Sequence, residues 1–133
     1  MVLEAPIVAA DVVQWLYSDA PQLKGTLEIV TEMAKRLRAG KVPVDRVTTG
    51  IWVVHPNVRA ESSIWVNGQT PELRLHTAEN KSQDEYQKSP IKRVHETQKA
   101  VRVEIGKKPA VADEFPITAE LRQEGYTDYI ALP

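Results

Sequence analysis

Apolar residues recur at two different periods along this chain, and the change falls near Arg46. Val8, Val12, Trp15 and Leu16 follow helical spacing and predict a short first helix ending near Ser18-Asp19. Pro21 suits the first turn of a second helix, where its missing N–H needs no partner. In that second helix Leu23, Leu27, Val30, Ala34 and Leu37 step by 4, 3, 4 and 3 residues, and Ile29 and Met33 widen the stripe. Lys35, Arg36 and Arg38 complement the dipole of its last turn, and Gly40 fits the C′ position. The broad apolar face has two readings, packing on a sheet and a parallel dimer helix, and both can hold on different sides of it.

Beyond Arg46 the pattern becomes that of strands. Val47-Thr48-Thr49-Gly50-Ile51-Trp52-Val53-Val54 is apolar on both faces and predicts a central strand covered on each side. Ser63 to Val66 reads as a second strand followed by the turn signal Asn67-Gly68, and Leu73 to His76 as a third. Pro71 places the start of that third strand at an edge or in the loop. Thr77 to Ser89 is polar and predicts a loop with at most a short helix. Ser89-Pro90 opens a helix through Glu96, Val101 to Ile105 alternates as a half-buried strand, and Gly106 to Pro109 breaks it. Pro116 to Glu124 is the last helix, and Thr127 to Leu132 the last strand. Helices before and between mostly antiparallel strands predict an α+β domain, helical over about 8–40 and mixed over about 44–133.

Composition bounds what such a domain does. With 133 residues, 42% of them hydrophobic, the chain has enough material for one modest core, so a single domain over 1–133 is expected. A net charge of −1 gives no global field toward nucleic acid or anionic lipid. The lack of cysteine removes disulfides, thiolate metal sites and cysteine nucleophiles. The apolar run Ile7 to Ala10 is too short for a membrane span, which needs about 20 apolar residues, and has no basic leader. A cytoplasmic protein that binds neither nucleic acid nor membrane is the expectation.

Several segments carry a family resemblance in their shared order and spacing. They are Leu37 to Val47 with Pro43-Val44-Asp45-Arg46, then Trp52-Val53-Val54-His55-Pro56, Trp65, and the helix start Ser89-Pro90-Ile91. The last is Phe115 through Pro133, with Glu124-Gly125-Tyr126-Thr127-Asp128-Tyr129-Ile130-Ala131-Leu132-Pro133 at its end. From about Val12 to Pro133 the chain resembles the N-terminal GAF-like regulatory region ahead of the catalytic domain in bacterial class III adenylate and guanylate cyclases. The resemblance implies a GAF/PAS-like antiparallel sheet with N-terminal helices packed on it. It further implies a sensor in cyclic-AMP signalling that homodimerises and passes its state to a fused or associated cyclase domain. A GAF domain would continue with two more strands and a closing helix, so a truncated or naturally shortened relative is expected.

Candidate chemistry is consistent with a regulator that is not itself an enzyme. The chain contains no G-x-x-x-x-G-K-S/T, G-x-G-x-x-G, G-x-S-x-G or H-E-x-x-H. The paired metal-binding aspartates that the resemblance associates with cyclase chemistry belong to a downstream domain. His55, His76 and His95 lack ligand spacing and read as hydrogen-bonded or surface histidines, with His55 capping backbone at a strand end. Trp52 and Trp65 fall on consecutive strands. Either they fill the core, or they pack together as the wall of a pocket for a planar small molecule, with Arg74 or His76 orienting a polar group. These four, Trp52, Trp65, Arg74 and His76, are the candidate ligand-binding residues; the cofactor is unknown and no metal is expected.

Charge is also uneven. Seven basic residues between Lys88 and Lys108 face only Glu96 and Glu104, whereas the segment from Pro109 on is acidic. No aromatic residue interleaves the basic run, so it lacks a stacking platform for single strands and reads as a solvated face attracting the acidic segment. The alternative to a ligand sensor is a ligand-free homodimerising interaction module whose exposed sheet edge pairs with a partner.

Overall fold

The computed structural model describes residues 4–77, 82–106 and 115–133. Residues 78–81 of the polar stretch, and Lys107, Lys108 and Pro109 of the break after the fourth expected strand, lie outside the described residues. The protein is α+β, with small antiparallel sheets and helices. It gathers into two compact units, Met1–Ala78 and Glu79–Pro133, each with its own hydrophobic cluster.

The first unit opens with α1 (Glu4–Ser18) and a 3₁₀ turn, Ala20–Gln22, followed by α2 (Thr26–Ala39). Pro21 thus belongs to the turn and not to α2. The Leu23 N–H is already used by Ala20 O, and Gly25, fully extended, becomes the N-cap. Glu28 steadies this entry by accepting the Lys24 N–H at 3.1 Å.

At its other end α2 closes in a Schellman motif. Val42 N–H donates to Leu37 O at 2.9 Å, and Lys41 N–H to Arg38 O at 2.9 Å. The left-handed residue is Lys41 (φ 65°), one position beyond the glycine expected to fill that role. Gly40 keeps an ordinary φ of −80°. Arg38 then pins the exit, donating to Val44 O at 2.8 Å and Asp45 Oδ1 at 3.0 Å.

Three strands follow: β1 (Arg46–Trp52), β2 (Ala60–Val66) and β3 (Glu72–His76), paired antiparallel in the order β1-β2-β3. The central strand is therefore β2, and β1, expected at the centre, lies at an edge. Ile51 and Trp52 at the end of the ladder are exposed, and the apolar run continues past it to Val54, which is wholly solvated. Between β2 and β3, Gln69 N–H closes a turn on Val66 O at 3.0 Å, and Gly68 supplies the positive φ of 81°.

Of the two readings of the α2 stripe, this unit uses packing on the sheet. Val30 and Ala34 bury against Trp65, with Val44 and Val47 half-buried around them. Burying side chains of this size contributes about 1.5–3 kcal/mol each for the larger ones.

The second unit comprises α3 (Ser82–Gln87), α4 (Pro90–Thr97), β4 (Val101–Val103), α5 (Pro116–Gln123) and β5 (Tyr129–Ala131). Ser89 caps α4 by accepting the Lys92 N–H at 3.3 Å, with Pro90 in the first turn. The α5 helix ends in a second Schellman motif with a glycine where one belongs. Gly125 takes φ 94°, Tyr126 N–H reaches Leu121 O, and Gly125 N–H reaches Arg122 O, each at 3.0 Å. That reversal returns the chain as β5, antiparallel to β4. Val103, Ile105, Phe115 and Leu121 form the core here, flanked by Val101, Ile117, Tyr126 and Tyr129. The last two strands thus make a two-stranded ladder of their own, distinct from the three-stranded sheet.

Candidate functional site

Strand register decides which of the candidate residues can meet. In an antiparallel ladder, residues directly opposite one another share a face, and successive residues alternate between faces. Trp65 stands opposite Val47, on the face that α2 covers, and is 5% exposed. Trp52 stands opposite Ala60 at the other end of the same pair. Its odd offset from Val47 turns it to the opposite face, where it is 63% exposed. The two tryptophans therefore do not pack together or form a common wall. Trp65 anchors the sheet to α2.

The other three candidates do share a face. Trp52 and His76 flank Ala60 from the two outer strands, and Gly50 and Arg74 flank Ser62 in the adjoining row. Two strand spacings separate the outer residues of each row, about 10 Å between backbones. Gly50 has no side chain, and nothing lies within 4 Å of where a Cβ would stand, so the row beside Trp52 is a shallow notch.

His76 is fixed by a hydrogen bond of 2.8 Å between its Nε2 and Ser62 Oγ. Arg74 donates from Nε and Nη2 to Glu72 Oε1 at 3.1 and 3.0 Å, and both side chains are about half exposed. The face thus offers an indole plane, an imidazole, a hydroxyl and a guanidinium around an open notch. Such a set suits a flat ligand with an anionic or hydrogen-bonding group.

Ser62, Gly50 and Glu72 were not singled out from sequence. They emerge only when the register sets them beside Trp52, Arg74 and His76.

The remaining histidines have separate roles. Asn57 N–H donates to His55 Nδ1 at 3.0 Å, which makes His55 a backbone cap at the end of the β1 segment. His95 Nδ1 lies 2.9 Å from Tyr86 Oη, between α4 and α3. Among the described residues no three histidine, aspartate or glutamate side chains converge.

Two grooves lie elsewhere. An open groove of about 800 Å³ runs along α1, the 3₁₀ turn and α2, where Arg36 stacks 4.7 Å over the Trp15 ring. A smaller one, about 520 Å³, lies beside Lys88, Lys92, Arg93 and Phe115. None of the four candidate ligand residues lines either.

The basic run is partly answered by the acidic segment, as its charge pattern suggested. Arg102 on β4 grips Asp128, just before β5, with its Nη2 2.6 Å from Oδ2 and its Nε 3.2 Å from both oxygens. The hydrogen bond and charge of Asp128, and more weakly Glu104, raise the Arg102 pKa above its ordinary value. Among the described helices, none is long and apolar enough to cross a membrane.

Comparison of the chain with protein-family models, with curated proteins and with solved structures returns no match. The functional reading therefore rests on the sequence pattern and on this geometry.

Proposed function

We propose that the chain is a non-catalytic regulatory domain of the GAF-like kind, serving a class III cyclase-like signalling protein. A small planar ligand with a polar or anionic group binds on the sheet face around Gly50. Trp52 stacks on its ring, Arg74 meets its charge, and His76, held by Ser62, supplies the directional hydrogen bond. The observation that carries this reading is the gathering of Trp52, Arg74 and His76 on one accessible face. Trp65 supports the site from below by holding β2 against α2. Binding alters a homodimer arrangement and passes to a cyclase output domain. This transmission requires a difference in ligand affinity between two arrangements.

A second reading, a ligand-free homodimerising interaction module, is favoured by a different observation. β3 is an edge strand, with Leu73 48% and Leu75 50% exposed.

Thermal denaturation with purine nucleoside monophosphates and aromatic carboxylates distinguishes the two readings. The ligand reading predicts that at least one probe raises Tm, by mass action on the folded state. Trp52→Ala and Arg74→Ala should abolish that shift while lowering the unliganded Tm only modestly. A shift insensitive to both substitutions, or no shift at millimolar probe, contradicts it.

A further inference from the structure

The outer edge of β3 carries a charge pattern that complements itself. Among the described residues β3 pairs only with β2, leaving a row of backbone N–H and C=O groups on its far side. Glu72 and Arg74 lie on one face of this edge; Leu73 and Leu75 lie on the other, together with Ile51 across the sheet. All five are exposed.

We propose that β3 is a homotypic docking edge, at which a second copy of this chain adds its own β3 antiparallel about a two-fold axis at Leu73. The axis must pass perpendicular to the sheet, so each residue keeps its face and pairs with one of the same parity. Centring on Leu73 sets Glu72 opposite the second copy's Arg74, and Arg74 opposite its Glu72. Leu73 then meets its own counterpart, and Leu75 lies over the second copy's Pro71. The pairing contains two opposite-charge pairs on one face and the apolar Pro71, Leu73 and Leu75 of both copies on the other. Centring on Arg74 instead would oppose the two guanidinium groups directly, and like charges facing across strands are unfavourable. Charge therefore selects both the partner, a second copy, and the register. The result is a continuous six-stranded sheet, joined by main-chain hydrogen bonds in the manner of strand addition. A strand of this length buries little surface, so the dimer is weak and concentration-dependent.

This inference rests on the homodimerising reading above and gives it a register; it is separable from the ligand reading, because association is measured without any ligand. Sedimentation equilibrium of the full chain provides the test. Wild type is expected to dimerise reversibly as concentration rises. Glu72→Arg and Arg74→Glu should each weaken dimerisation at least about tenfold, since each makes two like-charge pairs by symmetry.

The double exchange E72R/R74E restores the pairing and should return the dissociation constant to within about threefold of wild type. An equimolar mixture of the two single variants should form a heterodimer, although neither associates with itself. Changes confined to one chain do not produce that outcome. Leu73→Lys, at an exposed position, provides a second disruptive variant should either charge reversal perturb folding by circular dichroism. A wild type that stays monomeric at about millimolar concentration, single variants that dimerise like wild type, or a mixture without heterodimer would overturn the proposal.

Discussion

His76 on β3 reaches across the ladder to Ser62 on β2, with Nε2 2.8 Å from the serine hydroxyl. This bond fixes the imidazole beside the notch at Gly50 and ties a polar group of the sheet face into the strand pairing. A part-buried hydrogen bond of this kind contributes about 0.5–1.5 kcal/mol. Ser62→Ala is expected to lower the unfolding free energy by about 1 kcal/mol in urea titrations. It should also weaken binding of any probe that depends on His76.

The two tryptophans on the first pair of strands should respond very differently to truncation. Trp65→Ala removes the ring that Val30 and Ala34 pack against and is expected to cost about 3–5 kcal/mol. Trp52→Ala removes a ring that is 63% exposed and should cost far less, on the order of 1 kcal/mol. Equal losses in chemical denaturation would mean that the register-derived faces are wrong.

Two helix ends of the same design carry different residues at the left-handed position. Lys41 holds φ 65° after α2, whereas Gly125 holds φ 94° after α5. A side chain in this conformation costs about 1 kcal/mol relative to glycine. Lys41→Gly is expected to raise stability by about that amount, and Gly125→Ala to lower it by a similar amount. Thermal melts of both variants against wild type check the pair of opposite signs.

Thr49 and Ser63 stand opposite each other in the β1–β2 register, and both hydroxyls are buried with no hydrogen-bond partner among the described residues. Desolvating a hydroxyl without a partner costs about 1–3 kcal/mol. Ser63→Ala, at a position 1% exposed, should therefore leave stability unchanged or raise it by about 1 kcal/mol. A marked loss in urea titration would reveal a partner for that hydroxyl.

Arg102 and Asp128 tie β4 to the approach of β5. The Arg102 pKa is raised, so the contribution of its charge is fully present below the ordinary arginine value and is lost only as pH rises through the raised one. Across neutral pH this contribution from Arg102 is constant. Arg102→Met should speed amide exchange at Val101 to Val103, and high salt should reduce the difference from wild type.

Much of the helical framework was legible because capping chemistry is local. Ser89-Pro90 announced α4, and Gly125 announced the end of α5, each through bonds within a few residues. Gly25 and Lys41 were less legible. The competition between a 3₁₀ turn and a helix start is decided by backbone bonds that composition does not encode. The α2 stripe was read correctly from Leu27 to Leu37, whereas Pro21 and Leu23, expected in its first turn, lie before the helix; Trp65 is what fills its packing surface.

Strand order and the candidate site depended on register, which is non-local. Alternation shows that a strand has two faces but not which face meets the helix. Trp52 and Trp65 therefore looked like neighbours until their partners, Ala60 and Val47, put them on opposite sides. The same information brought Ser62 on β2 beside Arg74 and His76 on β3, two separate stretches of sequence.

Native mass spectrometry of the chain as isolated from cells, with and without prior denaturation, tests the central claim most directly when Trp52→Ala is measured beside wild type. The regulatory reading predicts a small-molecule mass on the wild-type chain that denaturation removes and that the variant largely lacks. Bare chain mass for both proteins, or an adduct retained equally by the variant, would contradict a ligand site on the Trp52, Arg74 and His76 face.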